Sequence, residues 1–156
     1  MTWLQTNEAQ LMRDRMATLE RKDDAVFLSV TRTGTLSITT AGVTVTWQSE
    51  IDSGGDVTWS GSSITVPIAG YYLTSFIGSF EAADSLTADL LVNSVEVATM
   101  NKSASKDVKF SHTLARFYKA GDVLQLRLTA ASSTHTLQLV TEDSAGESPI
   151  FHVVLL

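Results

Sequence analysis

The chain contains no cysteine, which excludes disulfides and thiolate-bound metal clusters as sources of stability. Only two prolines, Pro67 and Pro149, occur in its 156 residues, so it is neither a polyproline spacer nor a mucin-like stalk. No window approaches eighteen consecutive apolar residues, which removes a membrane-spanning helix. The start, Met1-Thr-Trp-Leu4, lacks the basic stretch and following apolar run of a signal peptide. Basic residues are in the minority, 11 Lys and Arg against 17 Asp and Glu for a formal charge of −6. That balance argues against nucleic acid or an anionic membrane as the partner. Lys102, Lys106 and Lys109 lie close together in sequence and are read as a solvated loop and strand edge. There is no phosphate-cradling glycine loop and no Gly-x-Ser-x-Gly elbow.

What is present is a dense alternation of apolar residues with Ser and Thr, the period of strands with one buried face. Ile64, Val66 and Ile68 alternate with Ser63, Thr65 and Pro67. Pro67 cannot donate to a ladder and should end that strand. Ala69-Gly70 is expected to make the turn, Gly70 being free to take positive φ. Tyr71 to Phe80 is apolar at nearly every position, as expected of a strand covered on both sides.

Other strands are expected at 25–30, 36–38, 43–47, 57–59, 86–92, 95–100, 108–118, 123–130, 136–140 and 150–156. Turns fall at Gly34, Ala41-Gly42, Asn93-Ser94 and Ala120-Gly-Asp122. The segments 50–56 and 143–149, rich in acids and small residues, are read as loops, as is polar 101–107. Short strands at regular spacing with turn signals between them describe an all-β sandwich.

Val66-Pro-Ile-Ala-Gly-Tyr-Tyr72, followed about fifty residues later by Ala120-Gly-Asp-Val-Leu-Gln-Leu126, resembles the paired signature of the complement globular-head and tumour-necrosis-factor-like jelly rolls. The resemblance runs from about Ala25 to Leu156. It implies a ten-strand antiparallel jelly-roll sandwich that trimerises, and it implies no chemistry. Tyr72, Phe76 and Phe117 are then expected at the trimer interface, where large aromatics bury much apolar area.

Ahead of this domain (24–156) lies a segment (1–23) of different character. Asn7 to Lys22 is free of Gly and Pro, begins with a capping pair at Asn7 and Gln10, and reads as a short α-helix. Ala9, Met12, Met16 and Leu19 form one stripe at coiled-coil spacing, assigned to the trimer contact. Trp3, Leu4 and Leu11 are expected to anchor the molecule to a particle. A helix this short is marginal alone and needs the domain behind it.

Candidate chemistry is sparse. His112, His135 and His152 each stand singly in a strand pattern and are read as surface or interface residues. Glu50, Asp52 and Asp56, like Glu142, Asp143 and Glu147, do not have the spacing of a helix-loop-helix calcium loop and are read as solvated turns. No catalytic residue, metal or cofactor is expected. The sequence therefore reads as a non-enzymatic virion protein made in the host cytoplasm: a homotrimeric capsid decoration protein of a bacteriophage, seated on the major capsid protein or another virion protein. The alternative is a receptor- or glycan-binding fibre tip.

Overall fold

A computed structural model describes residues 25–32, 34–81, 85–103, 108–132, 135–138 and 149–156. The expected N-terminal helix, its stripe and the anchoring residues lie outside these, as does most of the 143–149 loop.

The first half of the domain carries six short strands: β1 (Phe27–Thr31), β2 (Leu36–Ile38), β3 (Val43–Thr44), β4 (Ser49–Gly54), β5 (Thr58–Ser60) and β6 (Ser63–Thr65). Five longer ones follow: β7 (Gly70–Glu81), β8 (Ser85–Val92), β9 (Val95–Ser103), β10 (Val108–Tyr118) and β11 (Val123–Ala130). β12 (His135–Gln138) and β13 (Ile150–Leu155) complete the fold. All pairings are antiparallel and give two sheets. The larger, of seven strands, runs β2-β12-β7-β13-β1-β4, with β10 also on β7. The smaller, of six, runs β5-β6-β11-β8-β9, with β3 also on β11.

β7 is the axis of the larger sheet. β10 occupies one edge along its whole length, from Val108 opposite Phe80 to Tyr118 opposite Gly70. β13 and β12 divide the other edge, β13 taking Tyr72 to Ile77 and β12 taking Ser79 to Glu81.

The core lies between the sheets and follows from the two-residue period. Leu28, Val30, Tyr72, Phe76, Tyr118, Phe151 and Val153 point in from the larger sheet, and Ile64, Leu86, Leu90, Leu124, Leu126 and Leu128 from the smaller. Trp47 fills the middle, stacked on Phe151 at 5.7 Å and edge-on to Phe76 at 6.4 Å. The Phe76 ring covers Gly78 so closely that a Cβ there would lie 2.7 Å from it. A glycine in mid-strand gives the ring its place.

Four expectations change. Polar 101–103, read as the start of a loop, belongs to β9 and pairs with Ser85 to Thr87 of β8. Gly70 is not among the residues at positive φ; it opens β7, where the Leu155 side chain fills the space of a Cβ. Gly121, in the matching turn downstream, does take φ +84°. The acidic stretch 50–56 is mostly strand: β4 pairs with β1 from Ser49 to Gly54, with a bulge opposite Ser29/Val30. Finally β7 is buried on one face only. Tyr72, Thr74 and Phe76 are buried, while Tyr71 is 62% exposed.

Candidate functional site

The outward face of the larger sheet is where the fold leaves its own chemistry unfinished. Strand alternation places Tyr71, Leu73, Ser75 and Ile77 of β7 there, because their neighbours Tyr72, Thr74 and Phe76 point into the core. Register carries the face onto β10 through Phe117 opposite Tyr71, and onto β13 through Val154 opposite Leu73. Phe27 of β1, opposite Val154, continues it.

At the end of the sheet where β7 begins, the uncovered apolar surface is largest. Tyr71 is 62% exposed, Phe117 49% and Leu156 72%. The Tyr71 and Phe117 rings meet edge to face, with centroids 5.4 Å apart. Leu156 is fixed beside them by its N–H, which donates to the Tyr71 carbonyl at 2.9 Å. Burying such a side chain from full exposure gains about 1.5–3 kcal/mol, and roughly half or more of that is still to be gained here.

The smaller sheet ends differently. Its outward positions include Val123, Gln125, Arg127 and Thr129 on β11 and Thr87, Asp89 and Leu91 on β8, Leu91 being only 8% exposed. Gln125 donates to Ser63 at 3.1 Å. Arg127 donates through Nε and Nη2 to one Asp89 oxygen at 3.1 and 2.8 Å, and Thr99 donates to the other at 2.9 Å. Glu96 joins through Arg127 at 3.0 Å. Hydrogen bonds from the guanidinium to Asp89 raise the Arg127 pKa still further. One face of the sandwich is thus polar and self-satisfied, the other apolar and open.

The sequence-predicted interface aromatics divide between these settings. Phe117 lies on the open face. Tyr72 and Phe76 do not: they are 0% and 3% exposed, packed inside the chain, with the Tyr72 hydroxyl donating to the Ile68 carbonyl at 2.8 Å. Neither has surface to offer a second copy. Tyr71, one position away, reads from the sequence as core or interface material alike, because apolar residues on both faces of β7 hide which face turns inward. Trp3, Leu4, Ala9, Leu11, Met12, Met16 and Leu19 lie outside the described residues.

The histidines are not brought together. His112, opposite Phe76, faces inward and lines a small apolar cavity with Thr74, Phe76 and Phe151. His152 faces outward, and its Nδ1 lies 2.7 Å from the Ser29 hydroxyl. Burial holds the His152 pKa below its ordinary value. No sequence spacing announces this pair; only the β1–β13 register creates it. Hydrogen bonds from Ser53 and Trp59 hold the Glu50 carboxyl below the usual range and tie β4 to β5 across the edge of the sandwich. Among the described residues, no group of three His, Asp or Glu is placed to hold a metal ion. No helix among them is long and apolar enough to cross a membrane.

The fold and this face define an all-β jelly-roll sandwich of the tumour-necrosis-factor-like type. Among solved structures the chain is similar to murine APRIL at pH 8.0, with a TM-score of 0.66, 14% identity, and 85% of this chain and 99% of that one covered. It is also similar to the globular domain of zebrafish complement 1qA protein, with a TM-score of 0.57, 18% identity, and 84% and 97% covered. At these identities the likeness is one of fold. No family model matches the sequence, and no curated protein matches it.

Proposed function

We propose that this chain is a non-enzymatic structural module that works as a homotrimer, its copies joined through the outward face of the larger sheet. The observation that carries this is the asymmetry between the two outer faces, above all the uncovered Tyr71–Phe117 pair. An apolar patch of that kind on a soluble domain marks an interaction surface. Trimerisation is also what the resemblance to tumour-necrosis-factor-like and complement heads implies.

A catalytic reading has less behind it. The Ser29–His152 pair sits in mid-sheet between β4 and β7, and the small cavity is lined by other residues, so nothing among the described residues forms a cleft around a nucleophile. No carboxylate is hydrogen-bonded to the His152 ring in the described part of the chain.

Within the structural class, the proposal is a bacteriophage capsid decoration protein on the virion surface. The domain stands on its amphipathic N-terminal segment, and Trp3, Leu4 and Leu11 seat it on the major capsid protein. What supports this is the order of an apolar tip, a short amphipathic stripe and then a cysteine-free sandwich. Light scattering on the full chain tests the assembly: a trimer mass supports it, and a monomer at tens of micromolar overturns it. Cosedimentation with capsid shells lacking the protein tests the attachment. Trp3→Ala with Leu4→Ala should remain trimeric and stay in the supernatant; full binding by that variant would contradict the anchor.

A further inference from the structure

The outward face of the larger sheet is not uniformly apolar. Register aligns Thr113, Ser75, His152, Ser29 and Asp52 in one row across β10, β7, β13, β1 and β4. The row on one side holds Ala115, Leu73, Val154 and Phe27; the row on the other holds Ile77 and Ile150 among Ser111 and Thr31. His152 is therefore a titratable ring at the centre of a surface otherwise suited to burial.

We infer that this face is an acid-sensitive clasp: copies hold together while His152 is neutral and separate when it takes a proton. The inference rests on the homotrimer reading and adds its regulation. The Ser29 hydroxyl, 2.7 Å from Nδ1, can donate to a neutral ring. A protonated ring has no acceptor site at Nδ1, so the hydroxyl would have to turn and accept instead.

The groups facing the ring offer little to hold a positive charge. From β7 comes Ser75 and from β1 Ser29, neither of which ionises. Asp52 of β4 stands beyond Ser29, two strands away, roughly 10 Å at ordinary strand spacing. Arg116 of β10 belongs to the opposite face, where it reaches the Val97 carbonyl. His112 points inward from β10. An imidazolium covered by a second copy would be desolvated without a partner.

The sign follows from the direction already present in the single chain, where burial lowers the His152 pKa. Covering the face lowers it further. The separated state then binds protons more readily, so assembly is complete at and above the ordinary histidine pKa of about 6.5 and weakens as pH falls through the lower His152 value of the separated chain.

The test is light scattering on the full chain over a concentration series at pH 8 and pH 5. The concentration giving half-assembly should rise at least about tenfold at pH 5, the effect of one pKa unit at one site. His152→Gln should assemble alike at both pH values. His112→Gln with His135→Gln, which leaves His152 the sole histidine, should keep the full pH dependence, and it decides the matter if His152→Gln fails to fold. Equal assembly of the native chain at pH 8 and 5 overturns the clasp and leaves the homotrimer standing. So does loss of the pH dependence in the double variant. A monomer at both pH values overturns the homotrimer, and the clasp with it.

Discussion

Tyr71 and Phe117 face each other across β7 and β10, rings edge to face at 5.4 Å, and the described residues leave them 62% and 49% exposed. Their contact is worth about 0.5–1.5 kcal/mol beyond area burial. About half of each is still in water.

A charge at either position should therefore spare the fold and abolish assembly. Tyr71→Asp and Phe117→Asp should keep the native circular dichroism and melt within a few degrees of the parent, yet scatter as monomers. A trimer mass for both variants would move the interface to another face.

Buried neighbours should behave in the opposite way. Tyr72→Ala and Phe76→Ala empty space that the single chain fills, at a cost of about 3–5 kcal/mol for an aromatic core truncation. Urea unfolding should show midpoints lowered accordingly. If either variant lost assembly at unchanged stability, the side chain would have to lie in the interface after all.

Asp89 is 4% exposed and takes hydrogen bonds from Arg127 and Thr99. Removing the guanidinium by Arg127→Leu leaves a buried carboxylate short of partners, at about 1–3 kcal/mol. The low end applies, since the Arg127 side chain is 37% exposed and water screens it. Adding Asp89→Asn should recover part of the loss in a double-mutant cycle. Strict additivity would show the pair to be uncoupled.

Tyr118 sets the alkaline limit. Burial pushes its phenol pKa up against a smaller opposing effect of the neighbouring Thr74 hydroxyl, which itself donates to the Leu114 carbonyl at 3.2 Å, and the Tyr118 hydroxyl makes no well-formed hydrogen bond among the described residues. A phenol kept neutral by folding contributes stability below the ordinary tyrosine value of about 10, lost as pH climbs past it. Tyr118→Phe removes both the orphan hydroxyl and the titration. It should be more stable by about 1 kcal/mol at pH 7, with a larger advantage at pH 11 in thermal melts. Equal melting at both pH values would show the hydroxyl to be solvated.

The ladders were largely legible because β11 and β2 alternate cleanly beside turn signals, and their observed bounds, like those of β10, match the expected ones. The Asn93-Ser94 turn was legible for its chemistry, both residues taking positive φ at 52° and 66°. β4 was not, since an edge strand paired only with β1 needs no apolar row and its acids look like a loop. Val43 to Trp47 went the other way. Val45 and Trp47 are buried as the alternation demands, but each makes a single backbone bond, to Leu126 and Gly61, so the ladder stops at Thr44. The candidate face was half legible. Period two separates Tyr71 from Tyr72 without saying which of them turns inward, and no local pattern places Ser29 against His152.

The polar outer face of the smaller sheet, with Arg127, Asp89, Thr99 and Glu96 already bonded to one another, carries a consequence for the size of what this chain builds. A body adhesive on one side only runs out of glue once that side is covered. In the homotrimer proposed here, copies that close around their larger sheets would turn the bonded Arg127–Asp89–Thr99–Glu96 cluster outward, so growth would end with the ring and not run on into a fibre.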